Sequence, residues 1–329
     1  RLSRPSYIFY RTDDVLAPHL KRLPALPTNV IAELLDGGPP GLIAKADAVF
    51  ATHAKEATVI DSVGCVDSAR ATTRAVIALP EGDLAYRLIP GSGGEVVVHL
   101  HDIGSPARIP VTTDHAAMTL VPDLPGHGAS RDWMQDQCAP EAIARALVAL
   151  TESLGLERVT IVAIGGSCPI GVAYANLIGT RCTKLTLQNA IALDDAERTQ
   201  FLGLLPDLSV TSTGAQLLAA WNYARLKYLF WPWLPQNGTA VRQTMAPAPR
   251  RVHADAVEIL RAGSCFQALW REALTVDLAR SIEGLRCPLD LLCADESEPL
   301  RLAVRLASAA GLSPADAMAK NEGWKTWRK

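Results

Sequence analysis

Pro122-Asp-Leu-Pro-Gly-His-Gly-Ala-Ser130 is the stretch on which the reading of the fold turns. It follows a short apolar run, Met118-Thr-Leu-Val121, and its prolines and glycines stop that run in a tight turn. Upstream, Glu95-Val-Val-Val-His-Leu-His101 is a second β-branched run, closed by Asp102-Ile103-Gly104-Ser105. Downstream, Pro140 to Leu154 opens with proline and lines up Ile143, Leu147, Leu150 and Leu154 on one helical face. Val159 to Ile164 is a third strand, which runs into Gly165-Gly166 and then a helix of small residues. Lys184 to Gln188 is a fourth, and Cys287 to Ala294 returns to a strand near the end. Apolar strands alternating with helices predict an α/β fold, with a mostly parallel twisted sheet flanked by helices.

Between the fourth and the last of these strands, Leu193 to about Ser281 carries no strand pattern. Gln216 to Phe230 and Ala254 to Leu274 read as helices, the first unusually aromatic. A helical insertion between two strands of one sheet predicts a cap over the strands' carboxyl ends, where α/β proteins bind ligands. The expected organisation is a helical N-terminal extension (1–74), a first part of the core (75–192), a cap (193–281) and a last part of the core (282–329). The extension rests on apolar residues at helical spacing over Asn29 to Leu35 and Leu42 to Thr52. It offers no chemistry, only a surface through which copies of the chain could associate.

Composition narrows the function classes. Of 329 residues, 49% are hydrophobic and 20% charged, which is a large-cored globular profile. The formal charge of −2 gives no basic field, so neither nucleic acid nor an anionic membrane is an expected partner. No apolar run approaches the ~18 residues of a membrane span, and the charged opening Arg1-Leu-Ser-Arg4 does not read as a secretory leader. Seven cysteines without a C-x-x-C pair read as free thiols of a reducing, cytoplasmic compartment. No run has metal-ligand spacing, so neither metal nor cofactor is expected.

The sequence resembles the capped members of the α/β-hydrolase superfamily from about Ala75 to Leu306. Four stretches in the family's order carry the resemblance: Gly82-Asp-Leu-Ala-Tyr-Arg87, the strand ending in His101, Pro122 to Ser130, and Gly155-Leu-Glu-Arg-Val-Thr-Ile-Val162 with its glycine-rich turn. The resemblance implies a nucleophile on a sharp strand-to-helix turn, G-x-S-x-G, followed in order by an acid and a histidine. The amide after the nucleophile and one from an earlier loop would then form an oxyanion hole.

The chain departs from that pattern three times. Counting from Gly155, or back from Arg181, the nucleophile position falls on Gly165, and the motif reads Ala163-Ile-Gly-Gly-Ser167. The seven histidines are at 19, 53, 99, 101, 115, 127 and 253, so none follows the acid position around Asp295 and Glu298. Where the family usually has His-Gly, this chain has His101-Asp102, which puts a carboxylate beside the oxyanion hole. The residues therefore predict an enzyme that works without a covalent nucleophile, by proton transfer, lyase or cyclisation chemistry on a largely apolar small molecule.

Asp102 is its expected base, and Ser167 the one hydroxyl near the turn. His101, Ile103, Gly165 and Gly166 are expected to form the floor, and Trp221, Tyr228 and Trp231 the aromatic wall. Two other readings stand beside this one: a non-catalytic ligand-binding or scaffold relative, and a serine hydrolase that uses Ser167. The bland roles are equally concrete: Asp102 accepting loop amides, Ser167 as a helix-start residue, Cys168 as an inert buried thiol, and His101 and His127 as turn residues.

Overall fold

The computed structural model describes residues 6–11, 30–35, 44–45, 48–49, 72–107, 117–230, 247–292, 303–308 and 311. They fall in two compact units, Arg1–Val66 and Asp67–Lys329. In the first, β1 (Ser6–Arg11) and β2 (Val30–Leu35) pair in parallel, with Ser6 opposite Val30 and Arg11 opposite Leu35. This corrects the helix expected over Asn29 to Leu35. Seven residues are too few to separate helical from strand periodicity, and pairing with the aromatic, β-branched Tyr7-Ile-Phe-Tyr10 settles the conformation.

In the second unit, seven strands form one sheet in the order β3-β4-β6-β5-β7-β8-β9. The edge hairpin of β3 (Thr73–Leu79) and β4 (Gly82–Ile89) is antiparallel, and β4 also runs antiparallel to β6 (Met118–Pro122). From there β6, β5 (Val96–Leu100), β7 (Val159–Ile164), β8 (Cys182–Gln188) and β9 (Leu289–Leu292) are all parallel neighbours. Val98, Leu100, Leu120, Ile161, Leu185 and Leu187 are wholly buried along them, as continuous apolar strands covered on both faces should be.

Helix α1 (Pro140–Ser153) turns Ile143, Leu147 and Leu150 into that core. Helix α2 (Cys168–Ile178) lies against β7 because Gly171 has no side chain, since a Cβ there would come 2.7 Å from that of Ala163.

Between β8 and β9 the described residues form five α-helices and, apart from an isolated bridge at Phe230, no strand: α3 (Asp195–Gly203), α4 (Ala215–Leu229), α5 (Pro249–Ala262), α6 (Ser264–Thr275) and α7 (Leu278–Ser281). The single helix expected over Ala254 to Leu274 is two, because Gly263 adopts φ +52° and caps α5. Residues 303–308 add a further helical turn, with Leu306 and Ala307 buried.

The Pro122–Ser130 turn ties the strand ends together through its polar groups. The Ser130 hydroxyl donates to the Asp123 carbonyl (2.6 Å) and accepts from the Ala85 amide (2.9 Å). Asp123 accepts the Ala129 amide (3.0 Å) and pairs with Arg87 (3.3 Å). Two histidines lock this turn to the loop after β5. His101 Nε2 accepts from the Leu124 amide (2.9 Å), and its Nδ1 faces the Asp102 carbonyl (2.9 Å). His127 Nε2 accepts from the Gly104 amide (2.8 Å), and its Nδ1 faces the Pro125 carbonyl (3.0 Å). Each ring is thus held as one neutral tautomer, with Nδ1 protonated and Nε2 accepting.

Burial depresses both pKa values, helped at His101 by the neighbouring His127 ring, and burial also takes His99 down to about 4. A histidine depressed in the folded state is protonated first in the unfolded one. Stability should therefore be full above the unfolded value near 6.5 and fall as pH drops below it. Each of the three contributes about 1.4 kcal/mol per pH unit until its own folded value is reached. Asp102 and Asp123, whose carboxyls burial raises, oppose this only nearer their own titrations. Urea denaturation between pH 7.5 and 5 should show this decline, and it should be shallower in His127→Gln. An unfolding free energy that stays flat over that range is the contrary result.

Candidate functional site

The strand-to-helix turn after β7 brings the site residues together. Ile164 is extended, Gly165 adopts φ +56°, and Gly166 and Ser167 then lead directly into α2. The left-handed residue makes the turn sharp, and glycine adopts it without strain. In such a turn the residue at 165 points its Cβ out of the sheet. Here that space is already filled. A Cβ on Gly165 would lie 2.8 Å from the Asp102 carboxyl carbon. That space is taken by a carboxylate from the neighbouring loop, because β5 and β7 are adjacent and end at the same level.

Asp102 Oδ1 accepts the Gly166 amide at 2.9 Å, and the Ile103 amide also bonds to the carboxylate. It therefore holds the pair of amides expected to form the floor of the site. The Asp102 side chain is half-buried. Burial pushes its pKa up, while Lys227 and the two amides pull it back, and the net shift is upward.

Above the turn, α4 presents Ala220, Tyr223, Ala224 and Lys227 inward. The Lys227 ammonium is buried, bonded to Ser105 Oγ (2.8 Å) and paired with Asp255 of α5 (2.8 Å). Burial works against its charge, but Asp255, Tyr228 and Asp102 outweigh burial and raise its pKa. The Tyr228 hydroxyl donates to Asp255 and accepts from Arg251 Nε (2.9 Å), which carries the chain of contacts to the surface. Tyr223 packs edge-to-face on Phe266 (5.2 Å), and its hydroxyl pKa is raised by burial and by Asp102. Phe266 and Ile259 close over Gly104, where an added Cβ would meet them at 2.6 and 2.9 Å. The two insertion helices therefore sit directly on the loop that carries Asp102.

The other sequence candidates are placed as follows. Ser167 is fully buried. Its hydroxyl donates toward the carbonyls of Ile164 (2.9 Å) and Leu100 (3.2 Å) and accepts the Ile164 amide (2.9 Å). Cys168 is buried against the Ala163 and Gln188 carbonyls, and burial, with Asp102, pushes its thiol well above the usual value. His101 is below the floor in the turn lock rather than facing the cleft, since both ring nitrogens are used.

Trp221, expected in the aromatic wall, lies off the inward face of α4, 36% exposed and 6.3 Å from the His253 ring. The inward face is set by positions 220, 223, 224 and 227, and 221 falls outside that set. Tyr228 borders the site through Asp255, and Trp231 lies outside the described residues. Lys227 and Asp255 were not anticipated from sequence. Their available signal was the i, i+3, i+4, i+7 alignment of Lys227 with Ala220, Tyr223 and Ala224.

A separate cavity of ≈470 Å³ opens beyond Asp123, lined by Arg74, Arg87, Arg131, Arg261 and Glu258, and does not include Gly165. Among the described residues no cluster of three or more His, Cys, Asp or Glu side chains could hold a metal ion. No described helix is long and apolar enough to cross a membrane.

The fold defines an α/β protein with a mostly parallel sheet, and helices of the insertion cover the loop at the carboxyl end of β5. No family model matches the sequence, and no curated protein does. Solved structures do match. An enol-lactonase from Burkholderia xenovorans LB400 is 16% identical, with a TM-score of 0.54 over 73% of this chain and 89% of that one. Epoxide hydrolase A from Mycobacterium thermoresistibile is 14% identical, with a TM-score of 0.56 over 74% and 89%. An N-acyl homoserine lactonase, crystallised with N-hexanoyl homoserine, is 14% identical, with a TM-score of 0.53 over 72% and 83%. This chain has the α/β-hydrolase fold.

The buried Lys227–Asp255 pair generates a prediction. Lys227→Met removes the buried ammonium that pairs with Asp255 at 2.8 Å, and should destabilise the fold by about 3–5 kcal/mol in urea denaturation. Adding Asp255→Asn should return much of that loss. A single variant within ~1 kcal/mol of the parent would mean that the pair is solvated.

Proposed function

We propose that the chain is an α/β-hydrolase-fold enzyme that acts on a largely apolar small molecule without a covalent nucleophile, with Asp102 as its general base. One observation carries the reading. The Asp102 carboxyl group fills the space above Gly165 from which this fold normally projects its nucleophile. The group at the reacting position is therefore a carboxylate fixed by two amides, and no alcohol or thiol stands there. A carboxylate held in this way abstracts a proton from a substrate C–H, O–H or N–H. The Lys227 ammonium, within the same buried cluster, steadies negative charge left on the substrate. Ser167 has a structural role in this reading, because its hydroxyl is committed to main-chain groups inside the core. The solved neighbours include lactonases and an epoxide hydrolase. We extend only the general type from them, a compact organic molecule with a polarised C–O bond.

A second reading has its own observation. The Gly166 and Ile103 amides, which would stabilise an oxyanion, are already taken by Asp102. That arrangement favours a non-catalytic binding relative, and turnover decides between the two.

Purified protein should convert at least one member of a panel of small lactones, epoxides and enolisable ketones, followed by mass spectrometry. Asp102→Asn keeps the shape and removes the charge, so it should lower kcat about 10²–10⁴-fold with KM little changed. A fluorophosphonate should leave the folded protein unlabelled. Turnover retained in Asp102→Asn removes the general-base role, and stoichiometric labelling of Ser167 restores the serine-hydrolase reading. No turnover across the panel, with a ligand bound beneath the insertion, supports the binding relative.

A further inference from the structure

The cavity beyond Asp123 is separate from the Asp102 site, and its charge is not balanced. Its ≈470 Å³ lie between the β3–β4 hairpin, the turn that follows β6, and α5. That volume falls within the ~300–1,000 Å³ of small-molecule sites. Arg74, Arg87, Arg131 and Arg261 line it against two carboxylates, Asp123 and Glu258. Both carboxylates are already committed. Asp123 Oδ1 pairs with Arg87 (3.3 Å), and its Oδ2 accepts the Ala129 amide (3.0 Å). Glu258 Oε1 pairs with Arg261 (2.9 Å), and its Oε2 accepts the Gly128 amide (2.9 Å). Arg74 and Arg131 are exposed and have no carboxylate partner among the described residues.

The strand register adds a second observation. Arg74 of β3 lies directly opposite Arg87 of β4, so the two side chains leave the same face of the antiparallel hairpin. Like charges placed directly opposite one another cost stability. The next pair on that face is Val76 opposite Ala85, and Val76 is 53% exposed although it is β-branched and apolar. Arg131 is held at the far end of the hairpin, where its carbonyl accepts the Asp83 amide (2.9 Å). Opposed arginines, a third arginine without an acid and an exposed apolar side chain thus line one cavity.

We infer that this cavity binds a phosphate monoester of a small, partly apolar organic molecule. Guanidinium groups match phosphate oxygens with paired, charge-assisted hydrogen bonds. With each carboxylate neutralising the arginine bonded to it, two positive charges remain, on Arg74 and Arg131. A phosphate monoester carries about −1.5 to −2 at pH 7 and answers both, whereas a monocarboxylate leaves one unanswered. The phosphoryl group also relieves the opposition of Arg74 and Arg87 across the hairpin. The organic body packs along Val76, and Asp123 and Glu258 repel any further anionic group.

The test uses the full chain and phenyl phosphate, a monoester with a compact apolar body, followed by titration calorimetry and by Tm. The expected result is saturable binding at one site, with a Tm that rises with ligand concentration. It should be at least about tenfold tighter than the binding of inorganic phosphate or benzoate, with no binding of phenol. Arg74→Gln and Arg131→Gln should each weaken it about tenfold or more, since each removes a charge-assisted contact, without lowering the Tm of the ligand-free protein. Asp102→Asn should bind phenyl phosphate as the parent does, which separates this outcome from that of the general-base reading. No saturable binding at millimolar phenyl phosphate, equal binding of benzoate or inorganic phosphate, or unchanged affinity in both arginine variants would each overturn the inference. So would loss of binding in Asp102→Asn, or a lower Tm in ligand-free Arg74→Gln, which would mean that this arginine already has a structural partner.

Discussion

A carboxylate taken out of water must be met by donors and by positive charge, and Asp102 sets that demand at the centre of this molecule. The Gly166 amide supplies one donor at 2.9 Å, and the Ile103 amide a second. The positive charge comes from Lys227, which is itself buried and must be shared with Asp255 and Ser105. Asp255 brings in Tyr228, and Tyr228 brings in Arg251, where the chain of contacts reaches solvent. Two helices of the insertion are thereby committed to one position over the sheet. Apolar burial drives their packing without fixing its direction, whereas the charge sequence fixes which face of α4 points down. Phe266 and Ile259 can follow only because Gly104 leaves them room.

The sheet was legible in the sequence because its evidence is local and redundant. Each parallel strand is a short apolar run closed by its own turn signal, and α1 shows an unambiguous apolar face. The N-terminal unit was misread for the opposite reason. Asn29 to Leu35 is a short window in which either period fits, and its strand state depends on Ser6–Arg11, more than twenty residues upstream. The break at Gly263 left a visible glycine, but a lone glycine within a helical pattern does not by itself announce φ +52°.

At the site, the departures were legible and their outcome was not. Gly165 and Asp102 are both plain in the sequence as substitutions for expected residues. That they compensate each other, with the carboxylate of one filling the space left by the other, depends on how closely the β5 and β7 loop ends approach. Lys227 was harder to see. Between Leu226 and Tyr228 it reads as one more solvated lysine on a helix, and only its alignment with Ala220, Tyr223 and Ala224 turns it inward. The histidines misled in the other direction. His101 borders the candidate base in sequence, yet both its ring nitrogens serve the main chain.

The exchange at 165 and 102 also changes what the paired amides do energetically. In an acyl-transfer site such donors face an oxygen that carries full charge only in the transition state, so their stabilisation lowers the barrier. Here they face a carboxylate that carries its charge at rest, so the same bonds stabilise the ground state and reduce its basicity. Lys227 acts in the same sense, while burial acts against both and prevails, leaving the Asp102 pKa above its ordinary value. The donors then serve mainly to hold the carboxylate in one orientation, and its affinity for a proton is set by how completely the insertion excludes water. In the proposed reading, such a site works through the position of one base and the dryness of its surroundings. Those are the two properties that the Lys227–Asp255 anchor of α4 and α5 controls.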